Sequence, residues 1–177
     1  MKNIGFWISD KKEQIVIENI ENVVDEVAST NRAQIEHRAT WMALFFDEMK
    51  NAGIDPEPIM RKAVYRCGLV HGTRIKENCA NPADVREFEK TFLNKCGKDS
   101  FHMDNIKANQ DSLHISFNYC ALLSAWKKLG MDDATCALLC DIAMDGDRGI
   151  AKAMGLTLDL SDTLAQGCKT CELNFHK

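Results

Sequence analysis

No stretch of the 177-residue sequence approaches the run of about 20 apolar positions that a bilayer-crossing helix needs, so a membrane protein is not expected. The first residues, MKNIGFWISDKKEQ, turn charged after a few apolar positions. They lack the apolar core and small-residue cleavage site of an export signal, which predicts a cytoplasmic location. No G-x-G-x-x-G or other phosphate-cradling loop occurs, so nucleotide and phosphoryl chemistry have no support. Basic clusters are absent too. The 22 Lys and Arg are scattered against 26 Asp and Glu, for a formal net charge of -4, which argues against nucleic acid or an anionic lipid surface as partner. Only three prolines are present, Pro56, Pro58 and Pro82, and they fall where helical patterns break. No repeat or low-complexity segment divides the chain, and its length suits one domain with a real core.

Cysteine, by contrast, is plentiful, with eight in the chain. Without an export signal, and with enough residues to build a core, reduced thiols are expected rather than disulfides. Five of the chemically suggestive residues fall between Phe117 and Phe175: Cys120, Cys140, Asp141, Cys168 and Cys171. Thiols beside acids in such a stretch suit either a nucleophilic site or a metal site, and buried cysteine also packs as a small hydrophobe.

Periodicity gives an α+β fold, with N-terminal helices packed on a small, mostly antiparallel sheet and further helices. Residues 13 to 28 carry Ile17, Ile20, Val23, Val24 and Val27, a stripe predicting a helix that packs on the domain or builds a homodimer. Residues 1–30 are accordingly read as a helical extension and 31–177 as a single α+β domain. Ile35, Ala39, Met42, Phe46 and Met49 mark one face of a helix over about 33 to 50, stopped by Gly53. DPEP starts a second helix running to about Asn78 through Ile59, Ala63, Arg66, Val70 and Arg74, and Asn81-Pro82 caps a third. In DSLHISFNYC the period becomes two, which makes a strand with HMDNIKA as its hairpin partner. ALLSAWKKLG then reads as a helix closed by Gly130, and MDDATCALLCDIAMDGD as a helix capped by Asp132 and ending near Gly146. Two strands, GLTLDLSDTLAQG and CELNF, finish the chain.

Cys120 sits where a strand gives way to a helix, a position at which unpaired backbone N–H groups can lower a thiol pKa. His37, His71 and His114 are the candidate bases. His114 is six strand residues away, about 20 Å, too far for a direct dyad, so the base must come from elsewhere, such as His71. Cys136 and Cys140, four apart on a helix, together with the Cys168/Cys171 pair, could assemble a tetrahedral zinc site, although Gly-rich knuckles are missing. GCKTC does not follow a strand and open a helix as a thioredoxin-type redox pair would. Asp141, Asp145 and Asp147 could hold a cation, orient an imidazole or solvate a helix end, but no calcium-loop pattern is present. Glu36 could orient a substrate amine, and Arg38 or Arg74 could pair with a substrate carboxylate.

Cys120, the Trp126 and Gly130 of AWKKLG, Leu139-Cys140-Asp141 and the pattern Gly167-x-x-x-Cys171-x-x-x-Phe175 together resemble the L-2-amino-thiazoline-4-carboxylic acid hydrolase family. IEHRATWMALFFDEMKNAGID and GLVHG are similar to its helical half, so the likeness spans about residues 30 to 177. The resemblance implies hydrolytic opening of a cyclic amidine C–N bond in a small carboxylate-bearing ring. On that reading Cys120 is the nucleophile, His71 the acid-base imidazole and Asp141 its orienting group or the proton donor. Cys140 and Cys171 line the pocket. A divalent metal, zinc or manganese, held by the same thiols is the alternative source of an attacking water. A non-catalytic domain that binds a small ligand or acts as a sensor is the competing class.

Overall fold

The computed structural model describes residues 16–177. Residues 16–25 form an extended strap without helix, and the first helix, α1, spans Glu26–Asn51. The helix expected over residues 13 to 28 is therefore absent from 16 to 25, while 13 to 15 lie outside the described residues. Its stripe consists of β-branched residues, which are stiff in helices and suited to extended chain. The Asp25 side chain accepts from the Ala28 N–H at 2.9 Å and fixes the later start. Ile17 packs on the core, whereas Val23 and Ile20 face solvent.

Helix α2 spans Pro56–Asn78, with proline at its first position and Asp55 as N-cap. Its buried face is Met60, Gly68 and Gly72, with Val64 and Ile75 partly buried; the run through Ile59, Ala63, Arg66, Val70 and Arg74 faces outward. Helix α3 covers Val85–Phe92, capped by Asp84 rather than by Asn81-Pro82, because the Asn81 side chain instead closes a turn onto the Ala83 N–H. A short α4, Lys95–Ser100, precedes β1 (Met103–Ala108) and β2 (Ser112–Phe117). Helix α5 is Ala121–Lys128 and α6 is Asp133–Met154. Strand β3, Thr157–Leu160, a 3-10 turn at Leu164–Gln166, and β4, Cys171–His176, complete the chain.

The sheet is antiparallel throughout, in the order β1-β2-β4-β3. Leu113 pairs with Phe175 and Ile115 with Leu173, so their side chains share the face that meets the helices. Phe88 of α3 seals it edge-on against Phe175, with ring centroids 5.2 Å apart. The fold is α+β, with helices against a small antiparallel sheet. Among the described residues no helix is long and apolar enough to cross a membrane.

Helix α6 does not end near Gly146. It continues through Gly146 and Gly149 to Met154, where Gly155 takes the left-handed cap at φ 80°. These internal glycines serve close packing. A Cβ at Gly68 would land on the Gly146 carbonyl, and one at Gly149 on the Tyr65 carbonyl. Contacts rise together along both helices, from Gly68 with Gly146 to Gly72 with Ile150 and Ala153, so α2 and α6 run parallel at glycine-set separation.

Candidate active site

Cys120 is the N-cap residue of α5, reached after β2 has ended. The chain leaves the strand through Asn118 and Tyr119, whose N–H groups donate to the carbonyls of His102 and Phe101. Cys140 comes from the second turn of α6, and Cys171 opens β4. Three separate elements thus bring Cys120, Cys140 and Cys171 within electrostatic reach of one another. The Leu164 N–H donates to the Cys171 sulfur at 3.3 Å, and the Thr163 hydroxyl lies against Cys140.

Burial dominates this cluster. It pushes Cys140 far above the ordinary thiol range, with the neighbouring Cys120 and Cys171 adding to the effect, and Cys171 up to about 12. Cys120 is raised as well. The backbone N–H groups of Leu123 and Leu122 favour its thiolate, but desolvation outweighs them, so the lowering anticipated from a helix N-terminus does not prevail. At rest the three are neutral thiols packed in or against the hydrophobic core.

Asp141 lies beside Cys140 in sequence but turns toward α2. Its two oxygens accept from Arg61 Nη2 and Arg148 Nη2, each at 2.6 Å. Asp145 accepts from the same two arginines, at 3.1 Å from Arg61 and 2.7 Å from Arg148. Despite partial burial, the guanidinium groups hold the Asp141 carboxyl below its usual range. Among the described residues no imidazole contacts it. His71 is exposed on α2 and makes no described hydrogen bond or ion pair. Arg38 and Arg74 are also exposed. The Glu36 carboxylate accepts both hydrogen bonds from Lys128 Nζ, at 2.7 and 2.8 Å.

The four-cysteine zinc arrangement is not assembled. The Cys136 thiol donates to the Met131 carbonyl at 3.8 Å, and Cys168 donates to Asp162 at 3.6 Å, so each has a hydrogen-bond partner of its own. Among the described residues no three His, Cys, Asp or Glu side chains converge to hold a metal ion.

The family model for L-2-amino-thiazoline-4-carboxylic acid hydrolase matches residues 32–175. The chain belongs to that family. The match includes all three clustered thiols and the Asp141 ion pairs, while the strap of residues 16–25 lies outside it. No match to this family member was found among curated proteins.

Several residues at or near the site escaped sequence reasoning. Arg61 and Arg148 bracket Asp141, and the only hint was that Asp141, Asp145 and Arg148 share a helical face once α6 continues past Gly146. Asp147, already among the acids noted in the sequence, is partly buried two turns after Cys140, and desolvation raises its carboxyl to about 6. Asn19 bonds to Cys120 from 101 positions away, a separation at which local pattern carries no signal. A cavity of about 420 Å³ lined by Ile17, Asn19, Ser124, Lys127 and Lys128 adjoins that contact. A second, of about 410 Å³, opens at the α1–α2 turn around Phe46, Ile54 and Leu138, with none of the three thiols in its lining.

Proposed function

We propose that this protein hydrolyses the cyclic amidine carbon–nitrogen unit of a small carboxylate-bearing heterocycle of the 2-amino-thiazoline-4-carboxylate type, with Cys120 as nucleophile. The observation that carries the reading is that Cys120, Cys140 and Cys171, from three separate elements and within electrostatic reach of one another, all lie in the stretch matched by the hydrolase family. A neutral thiol suits such a substrate, because an amidine nitrogen is basic enough to take the thiol proton as sulfur attacks. In this scheme the Cys120 Sγ–C bond forms while the C=N bond becomes C–NH. The ring then opens at its leaving heteroatom, which takes up a proton. Water adds to the same carbon, the Sγ–C bond breaks, and the free thiol returns with an opened carbamoyl product.

Cys140 and Cys171, both held neutral by burial, add no charge of their own beside the amidinium–thiolate pair. Asp141 acts at one remove, by fixing Arg61, Arg148 and with them the α6 turn that carries Cys140. His71 stands on the outward face of α2 and takes no part in this scheme. The carboxylate is assigned to the Lys127 and Lys128 side of α5, where Glu36 sets the position of Lys128, rather than to the exposed Arg38 and Arg74.

Cys120→Ser is the test, with ring opening of 2-amino-thiazoline-4-carboxylate followed by product formation. A fall in kcat of about three orders of magnitude with an unchanged melting temperature supports nucleophilic catalysis. Retained turnover sinks it. Tight binding of the ring without turnover by the unaltered protein would favour a ligand-binding role.

A further inference from the structure

We infer that Asn19, in the strap outside the family-matched region, is a positioning residue that holds Cys120 in its attacking orientation. The inference rests on the proposed role of Cys120. The Asn19 side chain forms a two-way clasp on that residue's backbone: its Nδ2 donates to the Cys120 carbonyl at 2.9 Å, and its Oδ1 accepts from the Cys120 N–H at 2.8 Å.

The clasp answers a local need. Between β2 and α5 the N–H groups of residues 118 and 119 find backbone carbonyls at positions 102 and 101, and the next N–H, that of Cys120, is met by the Asn19 side chain instead. The Cys120 carbonyl already accepts the first bond of α5, from the Ser124 N–H at 3.1 Å. Pinning the peptide on both sides of the Cys120 Cα holds the residue at φ -131°, ψ 109°, which sets the direction its side chain leaves the start of α5. An asparagine amide can do this because it offers one donor and one acceptor at peptide-like spacing.

The strap has its own anchor. The Arg32 guanidinium, 3% exposed, donates to the Glu21 carboxylate at 3.1 Å and to the Asn22 carbonyl and side-chain oxygen at 2.9 and 2.6 Å. Ile17 packs on the core at the other side of Asn19. Removing the Asn19 amide therefore frees the Cys120 peptide without releasing the whole strap.

Asn19→Ala is compared with Asn19→Asp, which keeps the acceptor for the Cys120 N–H and loses the donor. Three readouts are taken on the full chain: mass-mapped iodoacetamide alkylation of Cys120 from pH 7 to 10, kcat and KM for 2-amino-thiazoline-4-carboxylate, and melting temperature. Two hydrogen bonds of ordinary net strength translate into about a tenfold effect. In Asn19→Ala, Cys120 alkylation at pH 8 rises about tenfold, kcat falls by a similar factor with KM little changed, and the other thiols keep their rates; Asn19→Asp falls between it and the unaltered protein. An unchanged Cys120 rate overturns the inference. So does an equal acceleration of all the thiols with a lowered melting temperature, which marks a purely structural clasp. If Cys120→Ser still turns over substrate, the nucleophile assignment fails, and the inference falls with it even though the alkylation profile still reports the clasp.

Discussion

Single residues here are governed by burial more than by their sequence neighbours. Cys120 has the helix N-terminus that its position promised, yet desolvation by the surrounding apolar side chains sets the direction of its pKa. Asp147 illustrates the same balance with a consequence for stability. Its folded-state pKa of about 6 lies above the ordinary 3.8, so the native state binds its proton more tightly than the unfolded chain does. Stability from this group is therefore present in full below about pH 3.8 and is lost as pH rises through about 6. Asp147→Asn should stabilise the protein by about 1 to 2 kcal/mol at pH 7.5 and change it little at pH 4, a discount being taken for the residual water around the carboxyl. Urea denaturation of both proteins at the two pH values checks this, and equal differences at both would refute it. At this scale sequence reasoning did name Cys120, Cys140 and Cys171, because a thiol type and its place on an element are local properties. It had no means of finding Asn19, whose role exists only where the strap crosses the start of α5.

Among the elements, the pair α2 and α6 sets the geometry of the site, since α6 carries Cys140 and the two contacts from Arg61 to Asp141 and Asp145 bridge the two helices. Glycines allow the approach, and they are not equivalent. Gly68→Ala drives a methyl group into the Gly146 carbonyl and should cost about 2 to 3 kcal/mol. At Gly146 the added Cβ would meet only Val64 Cγ1, at 3.6 Å. Gly146→Ala should therefore be neutral or stabilising by up to about 1 kcal/mol through helix propensity. Thermal melts of the two variants check the contrast, and comparable losses in both would show that the close approach is not what these positions serve. The glycines also explain the misplaced end of α6. Gly146 reads as a stop in isolation, but the bonds of a continuous helix and the packing on α2 outweigh its entropic cost. Strand parity was more legible, because alternation in Leu113, Ile115, Leu173 and Phe175 reflects one buried face directly.

For the molecule as a whole, all eight cysteines are free, and they differ sharply in access. Cys67 is exposed, while Cys136, Cys140 and Cys171 are buried. A chromogenic disulfide reagent should modify Cys67 first in the native protein, reach those three only on unfolding, and count eight thiols in denaturant without reductant. A lower denatured count would reveal disulfides and displace the neutral-thiol reading. The sequence by itself determined the α+β class and most helix and strand positions, since these rest on periodicity and caps along the chain, and its motifs carried the likeness to the hydrolase family that the family model matches. Only the tertiary structure decided which thiols meet, that Asp141 is committed to Arg61 and Arg148, and that residues 16–25 form a strap across Cys120 instead of a helix. Those outcomes depend on desolvation and on contacts between segments up to 101 residues apart, and such energies are properties of the packed chain rather than of any stretch of it.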